Sequence, residues 1–162
     1  MLNVIFEDNH LLVVEKPVNI LSQGDNTNDD DMVNLLKKYL KEKYNKPGNV
    51  FVGLVHRLDR PVGGIMVFAK TSKAASRLSE QVRNKTFKKT YKAVIHGDMK
   101  KREDNLSDYL YKDKKTNMVS VVNKKGQQIA LWSYKIEIEH PTKKEKMEFI
   151  CEPPNKYPWN MF

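Results

Sequence analysis

One stretch constrains this chain more than any other: Val55-His56-Arg57-Leu58-Asp59-Arg60-Pro61-Val62-Gly63-Gly64, which runs directly into Ile65-Met66-Val67-Phe68-Ala69. The charged, proline- and glycine-bearing part reads as a tight turn, and the apolar run after it reads as a buried strand. Whatever the fold, a polar turn must open straight into a buried strand. The turn also carries chemistry. Asp59 stands between Arg57 and Arg60, and positive charge beside a carboxyl keeps it ionised, so it can serve as nucleophile or base near neutral pH. The same arginines can hold phosphate. These residue types equally fit a turn aspartate that simply pairs with Arg57 or Arg60.

Strand and helix patterns surround this centre. Residues 4–6 read as a short strand, Glu7-Asp8-Asn9-His10 as a turn, and 11–15 as a second strand ended by Lys16-Pro17, because proline removes a donor from the ladder. A polar loop follows. Asp29-Asp30-Asp31 then opens a helix, since acids favour the positive helix N-terminus, with Met32, Leu35, Leu36, Tyr39 and Leu40 as its apolar stripe and Pro47-Gly48 as its stop. Residues 50–55 read as a buried strand. Ser72 caps a second helix running to about Asn84, with Ala75, Leu78 and Val82 on the buried face. Residues 87–96 alternate as a strand. Tyr109-Leu110-Tyr111 and Val119-Ser120-Val121-Val122 read as a hairpin, 129–138 as a longer strand, and 147–151 as the last strand, after the turn His140-Pro141-Thr142. Pro153-Pro154 and Pro158 exclude regular structure at the end. Hairpin-like neighbours dominate the second half. The fold class predicted is α+β, a mixed, mainly antiparallel sheet flanked by two main helices, in a single domain over 1–162.

Composition narrows the function classes. No apolar run is long enough to cross a bilayer, and the first six residues lack the basic region of a signal peptide. The single Cys151 excludes an internal disulfide and fits a reducing compartment, the cytoplasm. His10, His56, His96 and His140 are scattered without ligand spacing, so no metal is expected. His56 reads as support for the turn, and His96 and Cys151 receive no role. The balance of 29 Lys+Arg against 20 Asp+Glu, net +9, favours a polyanionic partner such as nucleic acid. Acids cluster early, at 25 and 29–31. Lysines cluster later, at 85, 88, 89, 92, 100, 101, 112, 114, 115, 124 and 125, where they can track phosphates or form a solvated face.

Several blocks, in order, resemble the RluA-type family of RNA pseudouridine synthases. Leu12-Val13-Val14-Glu15-Lys16-Pro17 resembles the family's first motif, a strand ending in Lys-Pro. His56-Arg57-Leu58-Asp59 resembles its signature. Gly64 and the residues through Lys70 resemble the following strand, Phe87-Lys88-Lys89-Thr90-Tyr91-Lys92-Ala93-Val94 the segment with the active-site tyrosine, and 129–154, with His140-Pro141, the terminal block. The resemblance implies a pseudouridine-synthase-like catalytic domain that isomerises uridine in ribosomal or transfer RNA as a monomer, without cofactor or metal. It makes Asp59 the catalytic residue, attacking or deprotonating the target nucleoside. Arg57 displaces the base, Tyr91 stacks on the flipped uracil, Lys16 and Arg60 contact RNA or the rim of the site, and Gly64 lets the backbone approach RNA closely.

The chain departs from the family pattern twice. Val62-Gly63-Gly64 stands where the signature continues Thr-Ser-Gly, which keeps the turn but loses two hydroxyls. The family's Thr-Gly-Arg-x-His-Gln-Ile-Arg block, whose arginine pairs with the catalytic aspartate, has no counterpart here. The resemblance thus implies an incomplete domain with an internal deletion near 126–127. It also leaves a second reading, a catalytically impaired RNA-binding remnant.

Overall fold

The computed structural model describes residues 2–25, 29–94, 103, 110–112, 119–121 and 130–161. In chain order these form β1 (Asn3–Glu7), β2 (Leu11–Lys16), α1 (Met32–Lys43), β3 (Gly53–Leu54), β4 (Gly63–Ala69), α2 (Ser72–Arg83), β5 (Lys88–Val94), β6 (Leu110–Lys112), β7 (Val119–Val121), β8 (Ala130–Glu139) and β9 (Lys146–Ile150), with a 3-10 turn at Trp159–Met161. They belong to two compact units, Met1–Lys92 with Leu131–Phe162, and Ala93–Ala130. In the smaller unit β6 and β7 pair antiparallel, Leu110 opposite Val121 and Lys112 opposite Val119, as the hairpin pattern predicts. The expected junction near 126–127, His96 and the lysines at 100, 101, 114, 115, 124 and 125 lie outside the described residues.

The main sheet runs β1-β2-β4-β8-β5, with β3 added to β4 and β9 to β8. The β1–β2, β2–β4, β3–β4 and β8–β9 pairs are antiparallel, and β4–β8 is parallel. This is the mixed, mainly antiparallel sheet with two helices that the sequence predicts. The unbroken apolar run of β4 has a direct cause: a core lies on each face. Leu11, Val13, Ile65, Val67 and Ala69 pack with Ala74 and Leu78 of α2. Leu12, Val14, Met66 and Phe68 pack with Met32, Leu36 and Leu40 of α1. A strand buried on both sides has no solvent face to show as polar alternation. The three α1 side chains, spaced four apart, are fully buried, each contributing about 1.5–3 kcal/mol relative to exposure.

Both helix starts are refined by their caps. Only Asp31 caps α1, its carboxylate accepting the Asn34 N–H at 3.0 Å, and no acid lies in the first turn. The second helix is capped by Thr71, not Ser72. Thr71 is extended and its Oγ1 accepts the Ala74 N–H at 3.2 Å, which makes Ser72 the first helical residue.

The strand expected over 50–55 shrinks to Gly53–Leu54, because the edge of β4 turned away from β2 is satisfied piecemeal. β8 takes it at Gly63 and Gly64, and β3 at Phe68 and Ala69. Between them, Ser133 Oγ donates to Ile65 O at 2.9 Å, and His56 Nε2 accepts the Val67 N–H at 3.0 Å. Two side chains thus do the work of a longer strand.

Two polar clusters, each centred on a buried side chain, lock the periphery. The Glu7 carboxylate accepts from Lys43 and Lys70 (2.7 Å each), Tyr39 (2.9 Å) and Tyr44 (2.6 Å). Burial alone would raise its pKa, but these donors outweigh it and hold the group at about 2. His140 is fully buried. Its Nδ1 accepts the Thr142 and Lys143 N–H groups, which leaves Nε2 to donate to Asp8 at 2.8 Å. That pair fastens the β8–β9 turn to the β1–β2 turn.

Candidate active site

The turn between β3 and β4 is built around Leu58, which is buried in the core beneath α1 while its neighbours Arg57, Asp59 and Arg60 are exposed. Asp59 O accepts the Val62 N–H at 3.0 Å, closing the turn. The loop after β2 grips it from the other side. Ser22 Oγ donates to Leu58 O at 2.6 Å and accepts the Leu58 N–H at 3.0 Å. Asn19 N–H donates to Arg60 O at 2.8 Å, and Arg60 Nε donates to Asn19 O at 3.2 Å. The main chain on either side of Asp59 is therefore fixed, while its carboxylate stands in solvent.

Lys16 is a cation in the field of Asp59. It is 0% exposed, so it cannot reach RNA from the rim as expected for it. Its Nζ donates to Pro17 O at 3.0 Å and Arg60 O at 3.2 Å. Burial lowers its pKa to about 8, and the Asp59 charge works the other way by favouring the ammonium. The signal was present in the sequence: period-two alternation puts Lys16 on the inward face of β2 with Leu12 and Val14. Tyr91, on β5, is 37% exposed, and its hydroxyl is pushed above its ordinary pKa first by partial burial and then by the Asp59 charge. The structure thus brings Asp59, Lys16 and Tyr91 into one electrostatic environment.

The remaining candidates are placed differently. Arg57 is exposed, and among the described residues no side chain holds it. Arg60 is engaged, its Nη1 pairing with Asp29 at 2.7 Å. Gly64 is buried within β4 rather than presented to RNA. A Cβ there would lie 2.2 Å from Ser133 O, and its φ of +112° suits glycine alone. The backbone that approaches Gly64 closely is that of β8. Of the described lysines in the basic stretch, Lys85, Lys88 and Lys89 are exposed. Among the described residues no three His, Cys, Asp or Glu side chains converge to hold a metal ion.

His56 opens the turn and is 7% exposed. Its ring packs 5.1 Å from that of Phe87, just ahead of β5. Burial, helped by the charge of Lys89, drops its pKa to about 3, so the imidazole is neutral. Since Nε2 accepts from Val67, the proton sits on Nδ1, which is buried with no hydrogen-bond partner among the described residues. The support role expected for it is what this geometry provides. Ser22 has no sequence signal, because nothing in a polar loop marks which hydroxyl will meet a turn 36 residues away.

Residues 10–153 match the family described as RNA pseudouridylate synthase. The chain belongs to that family. Curated relatives point to its RluA-type branch. The ribosomal large subunit pseudouridine synthase C of Buchnera aphidicola (subsp. Acyrthosiphon pisum) is 32% identical over 128 residues, 76% of this chain and 38% of that protein. The corresponding synthase D of Borreliella burgdorferi is 31% identical over 137 residues, 82% of this chain and 42% of that protein. The chain therefore spans about two fifths of the length of these relatives. In fold, it is similar to human RNA Pseudouridylate Synthase Domain Containing 1, with a TM-score of 0.65 and 14% identity, over 98% of this chain and 85% of that one. Within this family frame, the Asp59 turn falls inside the matched region, as do Lys16 and Tyr91.

Proposed function

We propose that this synthase-family chain isomerises uridine to pseudouridine in RNA, with Asp59 as the catalytic carboxylate. One observation carries this reading: a solvent-facing carboxylate on a main chain clamped from both sides, with a buried ammonium and a half-buried tyrosine hydroxyl in its field. Asp59 attacks or deprotonates the target nucleoside, the uracil leaves its ribose, rotates and rejoins through carbon. Arg57, exposed and held by no side chain among the described residues, is available to take the place of the extruded base, since a planar guanidinium both stacks and binds phosphate. Tyr91 offers an aromatic face to the flipped uracil. Flipping costs least in unstacked loops, so structured RNA with single-stranded segments is the substrate class. The names of the relatives support ribosomal RNA; transfer RNA as the other candidate substrate, the cytoplasm as the place of action, and a monomer working without cofactor or metal belong to the same proposal. The whole of 1–162 is proposed to act as one catalytic domain.

The test is Asp59→Asn. Pseudouridine formed on cellular RNA by the full chain is expected, and the variant is expected to form none above background at unchanged melting temperature. Equal activity in both would overturn the assignment. A second reading, an RNA-binding remnant with impaired catalysis, is favoured by one observation, the absence of the Thr-Gly-Arg-x-His-Gln-Ile-Arg block from the sequence. It predicts RNA binding with a steep salt dependence and no pseudouridine from the unaltered chain.

A further inference from the structure

We propose that Ser22 is the positioning residue for Asp59, an inference that rests on the catalytic reading of that carboxylate. Ser22 is 6% exposed and belongs to the loop after β2, far from the signature in sequence. Its single hydroxyl serves both backbone groups of Leu58. It donates to the carbonyl at 2.6 Å and accepts the N–H at 3.0 Å. The Leu58 carbonyl belongs to the peptide unit whose nitrogen is that of Asp59, so fixing it fixes the plane from which the Asp59 side chain departs. Ser22 is itself buried and flanked by paired groups. Next to it, Leu21 O accepts the Met32 N–H at 2.8 Å at the start of α1. On its other side, Ser22 Oγ lies 3.8 Å from Met66 Sδ of β4. The hydroxyl is thus referenced to the helix and to the central strand, and passes that reference to one peptide unit. Asn19 does the same for Arg60, one residue beyond Asp59, through its main chain. The clamp at Leu58 rests wholly on one side-chain hydroxyl, whereas the clamp at Arg60 keeps its main-chain bond from Asn19 N–H whatever the side chains, so substitution of Ser22 leaves the second and removes the first. Without it, two buried backbone groups lose their partners and the turn is free to reorient.

The experiment uses the full chain carrying Ser22→Ala or Ser22→Thr, with two readouts. Amide hydrogen exchange at Leu58 is expected to speed up more than about tenfold in Ser22→Ala while β2 and β4 amides keep their rates, which a general loss of stability would not produce. Turnover of RNA is expected to lose about 10- to 100-fold in kcat with KM changed less than twofold, the pattern of a misplaced reacting group. Ser22→Thr, which keeps the hydroxyl, is expected to recover both. Unchanged exchange at Leu58 in Ser22→Ala, or a kcat that falls only as far as the folded fraction does, overturns the proposal. If the unaltered chain makes no pseudouridine, the catalytic reading fails, and the exchange result alone decides whether Ser22 holds the turn.

Discussion

His56 Nε2 accepts the backbone N–H of Val67 at 3.0 Å, so a side chain from the start of the signature turn occupies the place of a neighbouring strand on β4. The bond needs a lone pair on Nε2, hence a neutral ring. Burial enforces that neutrality by lowering the pKa from 6.5 to about 3. The sign of the pH effect follows. Because the folded-state value lies below the unfolded one, the unfolded chain takes up the extra proton as pH falls below 6.5; the His56 contribution is whole above 6.5 and declines from there toward about 3.

The slope attributable to His56 is at most about 1.4 kcal/mol per pH unit. Above 4.5, the ordinary value of Glu7, the carboxylates of the Glu7 and Asp8 clusters contribute little to it. His56→Gln supplies an acceptor that does not titrate. Urea unfolding at pH 7 and pH 5 is expected to show a smaller pH-dependent loss for the variant than for the unaltered chain. Identical losses would mean that the ring is not the titrating group.

Gly64 is a second point where the turn depends on local geometry. An alanine there would place its Cβ 2.2 Å from Ser133 O and 2.7 Å from Ser133 N, at a φ of +112°. Neither β4 nor β8 can yield, since both are paired on either side. Gly64→Ala is expected to cost more than about 3 kcal/mol, through strain and loss of the parallel pairing. Gly48→Ala is the control, as nothing lies within 4 Å of its added Cβ; it should stay within about 0.5 kcal/mol. Urea midpoints of the two variants decide this, and a mild effect at Gly64 would show that the strands can separate.

Features decided by local periodicity were legible in the sequence. The stripe Met32, Leu36, Leu40 and the pair of buried Leu78 and partly buried Val82 gave both helices, and the run 65–69 gave the central strand. Features decided by long-range pairing were not. The strand expected over 50–55 is cut short because His56 and Ser133 supply bonds that only the folded chain brings together. Gly64 reads as a turn glycine until β8, some 70 residues later, is seen to cross it. In the candidate site, Asp59, Arg57 and Tyr91 stand out by motif, but the groups that fix the Asp59 turn do not. Ser22 lies in an unremarkable polar loop, and Lys16 looks like a surface strand end unless its parity with Leu12 and Val14 is followed.

Lys16 yields the last prediction. A fully buried ammonium is costly to desolvate, and it is kept here with two carbonyl partners and the Asp59 charge in range. Replacement by methionine keeps the length of the side chain and removes the charge. Arg60 O loses one donor but keeps the Asn19 N–H. Lys16→Met is therefore expected to melt no lower than the unaltered chain and, on the proposed role of Asp59, to form pseudouridine at least about tenfold more slowly, because that carboxylate loses the fixed cation in its field. A pH signature accompanies this. With the folded-state pKa at about 8 against 10.5 unfolded, the ammonium is intact at neutral pH and lost as pH rises through 8. Activity of the unaltered chain should fall on that alkaline limb, whereas its folding stability should rise between 8 and 10.5, since there the unfolded chain binds the proton that the folded one has released. Melting curves and initial rates from pH 7 to 10 separate the two effects. A variant that melts lower yet keeps full activity would reduce Lys16 to a tether for the Arg60 carbonyl.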